Sequence, residues 1–199
     1  ILKSIIHQDK KQRLLVLEGT INGAGAAIDL MSKKLNTPLV KLNNLTINPL
    51  DNIPPLLFIN CIGGLAAPFW RTDLESHFIG SGNSIEKLLA VLESIVFLII
   101  KLVEVLNSKD SPLTSIRLSG GLANNNDLCQ AIADLSHLTV VRCQQVEASI
   151  LGSVWWLAGQ PENNRWLMHS PLTSFQFMNN LGLNARYKLW SLAMAELTA

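Results

Sequence analysis

Residues 116–135, IRLSGGLANNNDLCQAIADL, decide how the chain is read. Ser115 to Ser119 has strand character, Gly120-Gly121 interrupts it, and from about Asn125 to Ser136 apolar residues recur at helical spacing. A strand, a glycine turn and a helix in that order bring a strand's carboxyl end to a helix's amino end, where α/β layers hold ligands. Paired glycines let backbone approach a bulky ligand because no Cβ intervenes. The unpaired N–H groups of a helix start favour phosphate. Asn124, Asn125 and Asn126 offer amides able to recognise a base or to cap the helix. An ordinary turn with asparagine caps explains the same residues equally well, so this stretch alone leaves both open.

Working outward, the pattern repeats. Thr139 to Cys143 reads as a strand and Glu147 to Ala158 as a helix, followed by a loop with Pro161 and Pro171 and a final amphipathic helix over about 184–197. On the amino side, Ile1 to Ile6 and Arg13 to Glu18 are two strands separated by a polar turn. A glycine- and alanine-rich segment then takes helical spacing through Ile21, Ala24, Ile28 and Met31. Residues 36–55, rich in Asn and Pro, read as loop with room for one short helix, and 56–60 as a buried strand before the irregular loop CIGGLAAPFW. A long helix covers about 84–107, capped by Ser84, with Lys87 where a capping box has Glu or Gln. Strands alternating with helices indicate an α/β layer architecture, a mixed sheet flanked by helices.

Bulk properties exclude several classes. The 199 residues suffice for one well-cored domain. A net charge of +1 offers no electrostatic basis for nucleic acid or an anionic membrane as partner. Leu88 to Leu106 approaches membrane-spanning length, but Glu93, Lys101 and Glu104 make an isolated span costly, so a helix buried on most of its surface is expected. Glu93 itself reads as a satisfied polar residue near the domain surface. Cys61, Cys129 and Cys143 form no CxxC pair, and the four histidines are scattered. Reduced cysteines in a cytoplasmic protein are expected, with no metal ligand. The opening Ile1, already inside a strand, is read as the start of a piece of a longer protein.

Five segments change the weight of the glycine turn. EGTINGAGAAIDLM (18–31), GGLAAPFWRTD (63–73), KLLAVLESIVF (87–97), SGGLANNNDLCQAIADL (119–135) and EASILGSVWWLAG (147–159) occur in the order and spacing of the FGGY carbohydrate kinases, to which glycerol kinase and pentulose kinases belong. The chain resembles that family over about residues 14–160, and weakly into RYKLW at 186–190. The resemblance implies an actin/hexokinase-like (ribonuclease H-like) ATPase fold of two domains, with ATP and sugar in the cleft between them. Residues 1–199 would be the carboxy-terminal, nucleotide-side domain.

By position, Gly120 and Gly121 would line the adenosine and α-phosphate site, Asn125 would face the adenine, and Gly25 would lie beside the nucleotide. Asp29 falls where glycerol kinases often carry Gln, and is included among the nucleotide residues. ATP with Mg²⁺ and a sugar or polyol are the implied ligands, the rest of the chain the implied partner, and homo-oligomers are allowed. Pro68, Phe69 and Trp70 would pack the domain rather than touch substrate, and Glu147 would start the last core helix. Departures include Gly80-Ser81-Gly82 before the long helix, and Lys87 at a usually apolar position.

The general base of the family is an aspartate in a Gly-Asp-x-x-Ala segment, which deprotonates the acceptor hydroxyl. No such segment occurs here, nor the phosphate-binding Gly-Thr turn that follows it. No catalytic residue is therefore assigned; Asp29, Asp127 and Asp134 are poor substitutes, the last two reading as solvated residues of a surface helix. Transfer is expected from the full-length protein and not from this piece alone. A non-catalytic nucleotide-binding module of the same fold is the alternative.

Overall fold

The computed structural model describes residues 1–8, 13–38, 55–107, 112–143, 148–161 and 172–199. It divides into two compact units, residues 1–112 with 180–199, and residues 113–179.

The larger unit is organised by one helix. β1 (Leu2–Gln8) and β2 (Arg13–Glu18) form an antiparallel ribbon, Leu2 opposite Glu18, with its register shifted between Ile5 and His7. α1 (Gly25–Lys34) buries Ala27, Ile28 and Met31 on one face. β3 (Leu57–Ile59) pairs antiparallel with β4 (His77–Ile79). α2 (Ser84–Asn107) has almost every residue from Leu88 to Leu102 buried and packs against both α1 and β3. Among the described residues no helix is long and apolar enough to cross a membrane. The apolar surface of α2 is covered by protein.

The start of α2 differs from expectation by one residue. Asn83, not Ser84, is the cap: its Oδ1 accepts from the backbone N–H of Ile85 and Glu86, and the Glu86 carboxylate accepts from the N–H of Asn83. This is a capping box built on Asn83 and Glu86.

α5 (Leu181–Thr198) is capped by Asn180, whose Oδ1 accepts from the Leu183 N–H, so it begins three residues before the expected 184. Leu183, Arg186, Trp190 and Met194 form its buried stripe. Arg186 Nη2 donates to the carbonyl of Leu56 at 2.8 Å, and Trp190 Nε1 donates to that of Phe58 at 3.0 Å. Carbonyls two residues apart lie on the same edge of a strand, so α5 satisfies an edge of β3 with side chains.

Glu93 is not near the surface. It is 2% exposed and Arg186 is 3% exposed. The Arg186 Nε donates to both Glu93 carboxylate oxygens at 3.0 and 3.1 Å, and Nη2 donates to Oε2 as well. Burial pushes the Glu93 carboxyl up from its ordinary range, and the guanidinium against it pulls the other way. Nearby, Lys101 pairs with Glu104 at 3.0 Å, and Glu104 accepts from the Tyr187 hydroxyl at 2.6 Å. Burial, and then this carboxylate, raise the Tyr187 hydroxyl above its ordinary range.

The smaller unit is a three-stranded mixed sheet in the order β5-β6-β7: β5 (Ser115–Leu118) parallel to β6 (Thr139–Cys143), and β7 (Leu172–Phe175) antiparallel to β6. α3 (Asn126–Ser136) connects the parallel pair and packs on β6. α4 (Ala148–Leu157) follows β6 and has no buried residue among those described. β4 and β7 were not expected. The loop expected at 36–55 lies almost entirely outside the described residues, as do Glu147 and Pro171.

Removing one partner of a buried ion pair strands the other charge and costs about 3–5 kcal/mol. Arg186→Ala is expected to lower unfolding stability by that order, read as a shift in the urea midpoint. A loss below about 1 kcal/mol would show that Glu93 is neutralised by some means other than Arg186.

Candidate nucleotide site

β5 delivers the chain to Ser119, and Gly120 turns it at φ 91° and ψ 173°, a conformation essentially restricted to glycine. Gly121–Asn124 then makes a single 3₁₀ turn, with the Ala123 N–H bonded to the Gly120 carbonyl at 3.1 Å and the Asn125 N–H bonded to that of Leu122 at 3.1 Å. α3 begins at once.

Among the described residues, chain neighbours aside, no atom lies within 4 Å of where a Cβ would stand on Gly120 or Gly121. At Gly120 the backbone angle demands glycine. At Gly121 neither the angle nor packing does, and a side chain there would project into open space. This suits a turn whose missing side chains leave room for a ligand.

Asn125 sits in extended conformation at the N-cap of α3, and its Oδ1 accepts from the Leu128 N–H at 2.9 Å. Its oxygen is thus engaged in capping. Asn126 Oδ1 accepts from Arg142 Nη1 at 2.6 Å. The three expected site residues in this unit fall within six consecutive positions, Gly121 exposed and Gly120 and Asn125 half-buried.

Arg142, on β6, was missed from the sequence. Its Nη1 also donates to the carbonyls of Ala123 at 3.2 Å and Asn124 at 3.4 Å, and Cys129 Sγ donates to the same Ala123 carbonyl at 3.2 Å. Burial raises the Cys129 thiol, with Arg142 opposing. The only signal for Arg142 was an arginine inside an otherwise apolar strand.

Asp134 corrects the expectation of a solvated helix face. It is buried, and its carboxylate accepts from Gln130 Nε2 at 2.7 Å and from the Met178 N–H at 2.9 Å. Asp127 is half-buried, and burial raises its carboxyl.

Gly25 and Asp29 belong to the other unit and are described there. Both are exposed on α1, Gly25 as its first residue and Asp29 one turn on. The helix starts after Ala24 with no side-chain cap, and a Cβ on Gly25 would meet nothing within 4 Å. Gly23 contrasts with it: a Cβ there would stand 2.4 Å from the Ile62 carbonyl oxygen.

Asn60 and Asn22 tie this segment to the GGLAAPFW loop. Asn60 Nδ2 donates to the Gly23 carbonyl at 3.0 Å, and Asn22 Nδ2 donates to those of Gly63 and Gly64 at 3.1 Å each. Between the two loops is a narrow cleft of about 10 Å³, room for about one water, walled by Thr20, Asn22, Gly23, Asn60 and Phe69 among others. Leu65 and Ala67 are buried, but Trp70 is 52% exposed at φ 56°, so it does not pack the domain as expected. No group of three His, Cys, Asp or Glu side chains gathers among the described residues as a metal site.

Comparison with known proteins points one way. Residues 3–158 match the family model described as the FGGY family of carbohydrate kinases, C-terminal domain. The glycerol kinase of Trichodesmium erythraeum is 29% identical over 153 residues, covering 73% of this chain and 30% of that one. The glycerol kinase of Shewanella frigidimarina is 28% identical over 195 residues, covering 92% and 39% respectively. The chain therefore spans between three tenths and two fifths of these relatives' length. Among solved structures, Plasmodium falciparum glycerol kinase with ADP superposes with a TM-score of 0.80 at 20% identity, over 99% of this chain and 42% of that one. The fold is the actin/hexokinase-like ATPase fold of the sugar kinases, as expected.

The two glycines of the turn should behave differently when substituted. Gly120→Ala forces a side chain into a glycine-only backbone region and is expected to cost about 1–3 kcal/mol. Gly121→Ala should leave stability within about 0.5 kcal/mol, as surface changes do. Denaturant unfolding of both variants checks this, and equal losses would contradict the backbone assigned to Gly120.

Proposed function

The chain belongs to the FGGY family of carbohydrate kinases, and from that premise we propose that it forms the nucleotide side of an enzyme transferring the γ-phosphoryl group of ATP to a sugar or polyol hydroxyl. The observation that carries the proposal is the Gly120-Gly121 turn: open, without side chains, and placed at the junction of β5 and α3. Gly120 and Gly121 would admit the adenosine and α-phosphate, and Asn125 would stand at the adenine edge while capping α3. Gly25, at the uncapped start of α1, would lie beside the nucleotide with Asp29 one turn further on.

Phosphoryl transfer depends on positioning and charge stabilisation more than on covalent chemistry by the protein. The contribution of these residues is to hold the donor still. Mg²⁺ bound with ATP would offset the charge of the phosphates. The described residues form no carboxylate cluster to cage it, and no residue is assigned to it. No catalytic base is assigned within these 199 residues, which carry no Gly-Asp-x-x-Ala segment; attack by the acceptor hydroxyl is a property proposed for the full-length protein.

The acceptor is a small polyhydroxy compound, with glycerol the first to test, since both relatives named above are glycerol kinases. A cytoplasmic location is in keeping with the free state of Cys61, Cys129 and Cys143.

ADP release by the full-length protein, followed against glycerol, pentuloses and hexoses, tests the activity. Release dependent on one acceptor is expected; ATP binding without release on any acceptor would replace the kinase with a non-catalytic nucleotide-binding module. In the same assay Gly121→Val should raise KM for ATP at least tenfold while leaving KM for the acceptor within about twofold. Unchanged ATP kinetics would remove the turn from the nucleotide site. Asn125→Ala should alter the preference for ATP over other nucleoside triphosphates more than it alters turnover; equal losses with all of them would count against adenine recognition.

A further inference from the structure

The open turn poses a mechanical problem. Among the described residues nothing beyond the chain neighbours packs against Gly120 or Gly121 on the side a Cβ would occupy, so the shape of Gly120–Asn124 has to be imposed from elsewhere. A single 3₁₀ turn leaves its last carbonyls without intrahelical donors. Those of Ala123 and Asn124 point at one guanidinium.

We propose that Arg142 is a positioning residue of the nucleotide turn: it grips the carbonyls of Ala123 and Asn124 and the side chain of Asn126, and so sets the shape that Gly120-Gly121 present to the nucleotide without touching the nucleotide itself. This inference rests on the nucleotide role proposed above for the turn.

Three features make Arg142 suited to it. Its backbone is fixed relative to the turn, because Arg142 is the ladder partner of Leu118, the last residue of β5 and two positions before Gly120. Its head group is braced from the other side, with Nη2 3.4 Å from Thr173 Oγ1 and the guanidinium 5.6 Å from the centre of the Phe175 ring, both on β7. Its charge complements the carbonyl end of the turn, where the local dipole is negative. Cys129, from the first turns of α3, adds one weaker donor to Ala123. A planar, permanently charged fork can serve several acceptors at once, whereas a lysine ammonium would keep the charge and lose that geometry. Since Arg142 Nη1 also holds Asn126, the residue after the α3 cap, turn and helix start are set together.

The test uses the full-length protein with Arg142→Ala, Arg142→Lys and Gly121→Val, measuring ADP release while varying ATP and then acceptor. Small misplacements of a binding group cost up to about a hundredfold. Arg142→Ala is therefore expected to raise KM for ATP about tenfold with acceptor KM within twofold, and Arg142→Lys to recover part of the loss. Backbone amides of residues 121–126 should exchange faster in Arg142→Ala even without nucleotide. If Arg142→Ala does not fold, Arg142→Lys, which keeps an aliphatic stem and the positive charge, is expected to show a severalfold rise on its own. A wild-type KM for ATP in the arginine variants, with Gly121→Val still raising it, overturns the positioning role and leaves the turn's nucleotide role standing. A wild-type KM for ATP in all three overturns both. A loss confined to the active fraction, with KM unmoved, reduces Arg142 to a structural residue and also overturns the proposal.

Discussion

In the larger unit, the buried contact between Glu93 on α2 and Arg186 on α5 constrains everything around it. A carboxylate taken out of water is costly unless a charge and enough donors replace its solvation. Three guanidinium hydrogen bonds do so here, and the same arginine reaches the Leu56 carbonyl. One side chain therefore joins α2, α5 and the residue leading into β3, and Trp190 repeats the contact one turn later at Phe58 within that strand. A helix as apolar as α2 could slide among many greasy packings; a single ion pair at its centre selects one. With α2 held, β3 and α1 have a fixed surface to pack on, and the loops that carry Asn22, Gly23 and Asn60 are tied to it.

The smaller unit divides its labour differently. Its candidate site is backbone, not side chain: a glycine at an angle other residues avoid, a second glycine facing open space, and an asparagine committed to capping. Such a surface has no packing of its own to stiffen it. Rigidity comes from behind, through the strand ladder under Leu118 and Arg142 and the carboxylate of Asp134, which ties α3 to the backbone at Met178. That arrangement leaves the face proposed for the ligand bare while the opposite face carries the hydrogen bonds.

Much of this was legible from local pattern. The strand, glycine turn and helix at 115–136 stand where the residues predict them, and the five ordered segments identify the family that the model match confirms. What escaped depends on residues far apart in the chain. Glu93 looked like a surface carboxylate because its partner is 93 positions away, and Asp134 looked solvated because its partners include the backbone of Met178. β4 and β7 are only three and four residues long, and pairing rather than periodicity makes them strands. The cap of α2 was misplaced because Ser84 and Asn83 are both good caps; Glu86, three residues after Asn83, was the discriminating signal. Trp70 was taken for a packing residue of a structural loop, yet its neighbours Leu65 and Ala67 are the ones buried.

The central claim is that the Gly120-Gly121 turn meets the nucleotide. Hydrogen–deuterium exchange of the full-length protein, with and without ATP and Mg²⁺, measures this most directly. Slower exchange on nucleotide addition at the amides of residues 119–126 is the expected result. Nucleotide binding that leaves exchange at that turn unchanged would contradict the account.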